Sequence, residues 1–519
     1  MKKFNTKLFG LLVICIGALM MTSCSSKPDN LAFVPKETQV VATTNLLSIG
    51  TKGGFGDLSQ FEMFKGFGEE IMNQSAIMTK FKDDPFITGI SYTSDILFFP
   101  IDQKMMCITM DLSSGDKFTA FVKDAISESG MPASVEEKEN FKTVSMPGSF
   151  MMAWDDDKAI MAAPLPMKRP NLETEVTRLF NLKDEEQITS NPEFTPFYED
   201  KRDLNIWMST NLIEELPGAI PVDDKTFNLM KDNYVSMHLG FEKDQIVIAA
   251  GLSPNSTLVK EMEKYDIYGN GFNADLLKYF PKESYVTYSS SFNPSGYFKM
   301  MSDYTGESEQ AINMFKQETG MDLNEVIKSL EGSILFSLHG FDTSTSEMMP
   351  LMTFAFDVNG GQVIQDVLAK VPADTYKKVD GYYEMSLDST RSAYMIYNDK
   401  VALFTSDKSR IDAFKNGGDS DNLGSSSMAS NIKKNVVYMY MNGKLDDYPA
   451  DVKQLLTEDS STAAMMINNI NKYFLSVEMI ATDDYKGEYI ITTGDDGTNS
   501  LFKILKAIDD NYMTLMRSF

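Results

Sequence analysis

The sequence predicts an α+β fold built twice: two homologous lobes from an internal duplication, each of hairpin-rich antiparallel sheets with helices packed on one face. Three observations predict it. The phrase "VPKETQVVATTNLLSIG" at 34–50 returns 246 positions later as "FPKESYVTYSSSFNPSG" at 280–296. Further landmarks recur in the same order in both halves. Between them, apolar alternation meets at short acidic turns, as in β-hairpins, and gives way to apolar residues at three- and four-residue spacing, as in helices.

The opening phrase carries identities at Pro35/Pro281, Lys36/Lys282, Glu37/Glu283, Val40/Val286 and Gly50/Gly296, and starts each lobe with a strand. A helical stretch follows, "SQFEMFKGFGEEIMNQSAIMTKF" in the first lobe and "SEQAINMFKQETGMDLNEVIKSL" in the second. Next, "CITMDLSSGDKF" (107–118) answers "TFAFDVNGGQVI" (353–364), with Asp111 opposite Asp357 and Gly115 opposite Gly361 where a strand hands over to a helix. "FMMAWDDDKAIMAAP" (150–164) answers "AYMIYNDKVALFTSD" (393–407), both hairpins with an Asp-Lys turn. "LNIWMSTNLIEELPG" (204–218) pairs with "VVYMYMNGKLDDYPA" (436–450). "YVSMHLGFEKDQIVIAAG" (234–251) and "YFLSVEMIATDDYKGEYIITTG" (473–494) close each lobe as hairpins. Offsets drift as small insertions require. The lobes are placed at 34–265 and 272–519, with a junction near Gly269 and Gly271. Hairpins with inserted helices suggest antiparallel sheets covered on one side.

The first residues have a different purpose. Lys2, Lys3 and Lys7 precede an uncharged run from Leu8 to Met21, too short for a membrane span of about 20 residues but suited to a secretory signal. Met21-Thr22-Ser23-Cys24 then has the form of a lipoprotein box, which makes residues 1–23 a signal peptide and Cys24 the lipidated residue. Each buried lipid methylene contributes roughly 0.8 kcal/mol, so several chains hold a protein where one does so marginally. Residues 24–33, with Pro28, Asp29 and Asn30, read as a tether.

Composition narrows the class. Formal charge is −26, and removing three Lys and no acid with residues 1–23 takes it to −29, which repels nucleic acid and anionic membrane surfaces. No nucleic-acid partner is expected; the membrane is reached through the anchor. Only Cys107 would remain in the body, so no disulfide framework is available. It reads as a buried thiol. About 490 residues exceed a single core.

With these landmarks in place, the chain resembles the envelope lipoproteins of Bacteroides-type bacteria grouped as domain of unknown function 4836. The likeness rests on the box at Cys24, the short tether, the Val34-Pro35 opening and "TGMDLNEVIKSLEGSILFSLHG". It implies an outer-membrane lipid-anchored protein and no assigned activity.

Residues that could carry chemistry were weighed against plainer roles. His238 and His339 lie alone in strand-like runs, without the ligand spacing zinc needs, and read as satisfied or edge histidines. "SSSF" at 289–292 reads as a strand face, since no nucleophile elbow is present. "GTKGGFGDL" (50–58) lacks the ending of a phosphate loop and reads as a flexible loop. Asp155, Asp156 and Asp157 form the one cation-binding turn worth naming, although a turn wants Asp there anyway. Methionine doublets such as Met105-Met106 place alternate sulfurs on opposite strand faces, so core packing outranks a metal site. No cofactor is expected. The reading is a non-enzymatic binding or assembly scaffold of the cell envelope; a carboxylate-based hydrolase of envelope or extracellular polymer, or a carrier of apolar cargo, stands as the alternative.

Overall fold

The computed structural model describes residues 29–63, 79–80, 84–130, 132–212, 224–268, 271–305, 308–344, 348–372, 374–387, 391–457 and 472–518. The chain forms two compact units: Met1–Ser48 with Phe67–Lys201, and Ile49–Gly66 with Arg202–Phe519. The division falls after Lys201 and not at the 265–272 junction read from the repeat. The reason lies in the sheet, because strands from 204–253 pair with the last strand of the chain.

In the first unit the strands are β1 Val40–Asn45, β2 Asp95–Ile101, β3 Met105–Asp111, β4 Glu136–Glu137, β5 Lys142–Met146, β6 Phe150–Trp154 and β7 Lys158–Pro164. They pair antiparallel in the order β1-β2-β3-β7-β6-β5-β4. Alternation along "MMCITMD" buries Met105, Cys107, Thr109 and Asp111 on one face of β3. The helix Gly115–Ser129 begins where the Ser114 Oγ accepts from the Lys117 N–H at 3.3 Å and ends at Gly130 with φ 64°. Its Phe118 and Val122 pack on Trp154, whose Nε1–H donates to the Thr119 Oγ1 at 2.9 Å.

The opposite face is covered as well. Arg178 and Glu175 of the helix Leu172–Phe180 lie close enough to Cys107 to act on its thiol, and the Phe180 ring meets Phe33 edge-on at 4.7 Å. Since β3 alternates, Cys107 and the Met110 that packs with Trp154 point to opposite sides. Helices therefore flank this sheet on both faces, which corrects the expectation of one. The signal for it was local: strands buried on both faces carry consecutive apolar residues, as β7 does at Ala159-Ile160. Residues 29–33, expected to lie in a tether, are instead packed into the first unit. Residues Asp29–Phe33 form a 3-10 turn with Asn30, Leu31 and Phe33 buried, because "NLAF" supplies an amide and two apolar plugs to this core.

In the second unit the strands are β8 Leu204–Ser209, β9 Tyr234–Glu242, β10 Gln245–Ser253, β11 Val286–Ser291, β12 Leu330–Asp342, β13 Met349–Val358, β14 Lys377–Val379, β15 Tyr382–Ser386, β16 Ser392–Tyr397, β17 Val401–Thr405, β18 Val437–Asn442, β19 Ser476–Ala481 and β20 Lys486–Thr492. Pairing is again antiparallel, in the order β8-β9-β10-β20-β19-β18-β11-β12-β13-β17-β16-β15-β14. Its last seven strands, read from β11, repeat the order of the first unit. Here too helices cover both faces. The helix Gln362–Leu368 packs on Val358, Met395 and Ala402, while the helix Lys408–Lys415 packs with Leu335, Ala355 and Leu403.

Two sequence readings meet the structure differently at helices. The stretch 308–330 is two helices, Ser308–Thr319 and Leu323–Lys328, parted by Gly320 at φ 70° and restarted by Asp322, whose carboxylate accepts from the Asn324 N–H. Most of the helical stretch read at 59–81 lies outside the described residues. "GTKGGFGDL", expected as a flexible loop, closes the helix Leu46–Lys52 and then makes a packed turn. Gly54 sits at φ 72°, where a Cβ would come within 2.6 Å of Gln60 Nε2 and 3.0 Å of Phe502 on the helix Ser500–Ser518. That helix holds the segment further through Asp509, which accepts from the Glu62 and Met63 N–H groups at 3.0 and 2.7 Å.

Candidate functional site

Cys24 lies outside the described residues. Asp155, Asp156 and Asp157 make the β6–β7 turn: the Asp155 Oδ1 accepts from the N–H groups of Asp157 and Lys158 at 3.0 and 2.9 Å, and the Asp156 carbonyl accepts from the Gly115 N–H at 3.1 Å. Among the described residues no three His, Cys, Asp or Glu side chains are grouped to hold a metal ion. Cys107 is fully buried, and burial pushes its thiol up to about 12, far from a reactive thiolate. His238 is buried, with Nδ1 3.0 Å from Asn205 Oδ1.

His339 behaves otherwise. It lines a cavity of about 890 Å³ in the second unit. Its side chain is 5% exposed and its Nε2 lies 3.2 Å from the Asp407 carboxylate. The Nδ1 is buried without a hydrogen-bond partner, so the satisfied histidine expected from sequence is half satisfied. Asp407 is well prepared to hold the ring. Burial works against its charge, but hydrogen bonds from His339 and Ser409 bring its carboxyl down to about 2. It also caps the helix Lys408–Lys415 by accepting from the Ser409 N–H at 2.9 Å. Nε2 is thus held by the carboxylate, which leaves Nδ1 as the ring nitrogen open to a further partner.

The rest of the wall includes Ser426, Ser427, Met428 and Asn431 before β18, Asp447 after it, and groups from three further places. The segment 282–285 supplies Ser284 and Tyr285, β18 supplies Tyr438, Tyr440 and Asn442, and β19 supplies Glu478. The Tyr438 hydroxyl donates to the Glu478 Oε2 at 3.0 Å, and the Asn442 amide donates to the Asp447 Oδ2 at 2.8 Å. Burial, then the charge of Glu478, raises both the Tyr438 and the Tyr440 phenols above their ordinary value, so both stay protonated at neutral pH.

Behind the wall runs a row of hydroxyls. Thr405, Thr353, Ser337 and Thr287 stand opposite one another across β17, β13, β12 and β11, and Thr287 faces Tyr440 on β18. None of the four is more than 4% exposed. Thr353 and Thr405 share a hydrogen bond of 2.9 Å, Thr405 Oγ1 accepts from the Asp407 N–H at 3.0 Å, and Thr287 lies 2.5 Å from the Ser284 hydroxyl. Ser337 Oγ and Ser289 Oγ are buried without partners. One end of the row thus meets the backbone N–H of Asp407, the residue that holds His339, and the other meets the Ser284 hydroxyl on the cavity wall. Sequence inspection missed this group. His339 and Asp407 are 68 positions apart, and a hydroxyl on each of four strands has no linear signature.

A family match decides the lineage: the family described as domain of unknown function (DUF4836) matches residues 30–501. The chain belongs to DUF4836. Nearly all the described DUF4836 body is therefore one family unit, both compact units included. No curated protein matches it. Among solved structures it is similar to TP0453: crystal form III at 11% identity and a TM-score of 0.27, covering 47% of this chain and 89% of that one, and crystal form I at 11% and 0.26, covering 44% and 79%. Likeness at that level carries neither fold nor role into the DUF4836 chain.

Proposed function

We propose that this chain is a non-enzymatic binding protein of the bacterial cell envelope, held to the outer membrane by lipid on Cys24, with its ligand site in the cavity of the second unit. The observation that carries the reading is the cavity wall. Its polar groups are fixed in place by neighbours, as a recognition surface needs, and Glu478 and Asp447 are already engaged by Tyr438 and Asn442. Carboxylates tied in this way suit ligand holding better than the paired free acid and base of a hydrolase. The polar lining also counts against apolar cargo at this site.

The reading includes an internal duplication, supported by paired details beyond strand order. Asp111 accepts from the Asn30 N–H at 2.8 Å and Asp357 from the Ser333 N–H at 2.7 Å, both buried at the foot of equivalent strands. Pro35 bridges to Gln187 as Pro281 bridges to Asn422. Asn255 and Asn499 cap helices after β10 and β20. Two copies free one to specialise.

Fractionation of cells producing the full chain and its Cys24→Ala variant tests the anchor. The parent should enter the detergent phase with an acylated N-terminal peptide by mass spectrometry, and the variant should not; a parent chain recovered in the aqueous phase overturns it. Protease added to intact cells, with a periplasmic protein as the leakage control, then reads which membrane face carries the body.

A further inference from the structure

Resting on the binding reading above, we infer that the ligand of this cavity is a neutral saccharide, taken up by a polar wall backed by a hydroxyl row that stands where the first unit has sealed apolar core. The two units supply the comparison. Thr353 pairs with Thr405 and Ser337 in the second unit; in the first, Cys107 pairs with Ala162 and Phe99 at the same places in the same strand order. Val41 on β1 completes the first row where Thr287 completes the second, 246 positions on. All four first-unit side chains are apolar and 0% exposed. The fold thus needs no hydroxyl here, and apolar residues pack the row completely.

The same substitution pattern continues at the cavity edge. The position 238 before His339, counted from the paired Asp95 and Ser333, is Ile101, and the cap answering Asp407 is Asn171. Ile101 and Asn171 line a depression of only about 190 Å³, against about 890 Å³ beside His339. A buried polar atom without a partner is costly, so His339 Nδ1, on a residue that lines the cavity, is a group awaiting a partner from something bound.

The chemistry of the wall selects the class. Glu478 and Asp447 accept hydrogen bonds, His339 Nδ1 is an unpaired ring nitrogen, and Ser284 and Tyr440 carry hydroxyls that both donate and accept. Tyr285 and Tyr440 add aromatic faces. A donor-rich, uncharged, partly apolar ring with many hydroxyls satisfies all of these at once. Lys282 on the same wall disfavours a polycation, and the three carboxylates Glu283, Asp447 and Glu478 disfavour an anion.

The test uses the full chain purified from membranes in detergent. Calorimetric titration is run with maltotetraose, cellotetraose, mannotetraose and chitotetraose, and with spermidine and tetragalacturonate as charged comparators. At least one neutral tetrasaccharide should bind. Transplanting first-unit residues, Thr287→Val and His339→Ile, should weaken that binding by at least about tenfold; Thr287→Val, which only releases the Ser284 hydroxyl, should keep the parent melting temperature, whereas His339→Ile also takes a hydrogen bond from Asp407 and should lower it. The melting scan separates lost recognition from lost folding, and Tyr440→Phe, which keeps the ring, gives a second variant with a smaller loss. Saccharide binding that survives both transplants overturns the site. Binding of spermidine or tetragalacturonate alone overturns the ligand class and leaves the binding reading standing. Silence from every probe overturns both.

Discussion

The first unit and the β11–β17 part of the second lay down seven strands in one order and then use one row of them in opposite ways. Phe99, Cys107 and Ala162 close the first row with apolar packing, while Ser337, Thr353 and Thr405 hold hydroxyls in equally complete burial. Burying a hydroxyl in place of a methyl contributes no packing and demands a hydrogen bond. A fold that is stable with the apolar version has no structural reason to keep the polar one. The difference between these two seven-strand arrays is therefore a better guide to function than either array alone. The acids tell the opposite story: Asp111 and Asp357 are both buried and both raised by burial, with a backbone N–H donated to each, so they belong to the shared frame.

The largest effect expected from breaking this comparison is at Phe99. Replacing it with the second unit's residue, Phe99→Ser, should destabilise the chain by about 3–5 kcal/mol in urea unfolding, through lost burial and an unpartnered hydroxyl. A cost under about 1 kcal/mol would mean the first row is not sealed. Next is the pH response of the His339–Asp407 pair. Asp407 has its pKa lowered from 3.8 to about 2 in the fold, so the stability it contributes is complete above about pH 4 and is lost as pH falls through 2. That contribution is about 2 kcal/mol. Acid unfolding of Asp407→Asn should lack this component between pH 4 and 2, and an unchanged profile would remove the pair from the account.

A double-mutant cycle on Thr353 and Thr405 sharpens the comparison further. Thr405→Val should cost about 1–2 kcal/mol, because it strands the Thr353 hydroxyl and the Asp407 N–H, and adding Thr353→Val should recover the part due to the stranded Thr353 hydroxyl. Additive losses would show that the hydroxyls serve the fold. The smallest effect is at the β6–β7 turn. Asp155→Asn should shift stability by less than about 0.5 kcal/mol, because Asn398 closes the equivalent turn with the same two hydrogen bonds, at 2.8 and 2.9 Å. Added calcium should not change its melting temperature; a calcium-dependent rise in the parent alone would restore the cation site.

Legibility followed distance along the chain. Strands, hairpins and caps rest on neighbours within a few residues, and β6–β7, β16–β17, β9–β10 and β19–β20 stand where alternation and acidic turns put them. The Asp111/Asp357 and Gly115/Gly361 landmarks mark strand-to-helix junctions in both units. Coverage of both sheet faces is written in "VALFT": hairpin alternation favours one buried face, but the three consecutive buried residues Val401, Ala402 and Leu403 need two. The turn at Asp29–Phe33 was hidden by its polar flanks, though Leu31 and Phe33 are core residues.

By itself, then, the sequence determined the strand and helix periods, the acidic turns and the recurrence of one phrase in two places, because each is written in short-range order. Only the tertiary structure decided that strands 204–253 join the second unit, that His339 meets Asp407, and that four hydroxyls line up beside a cavity. Those depend on sheet register, which sets side chains from distant strands 5 Å or so apart, and register is a property of the folded whole.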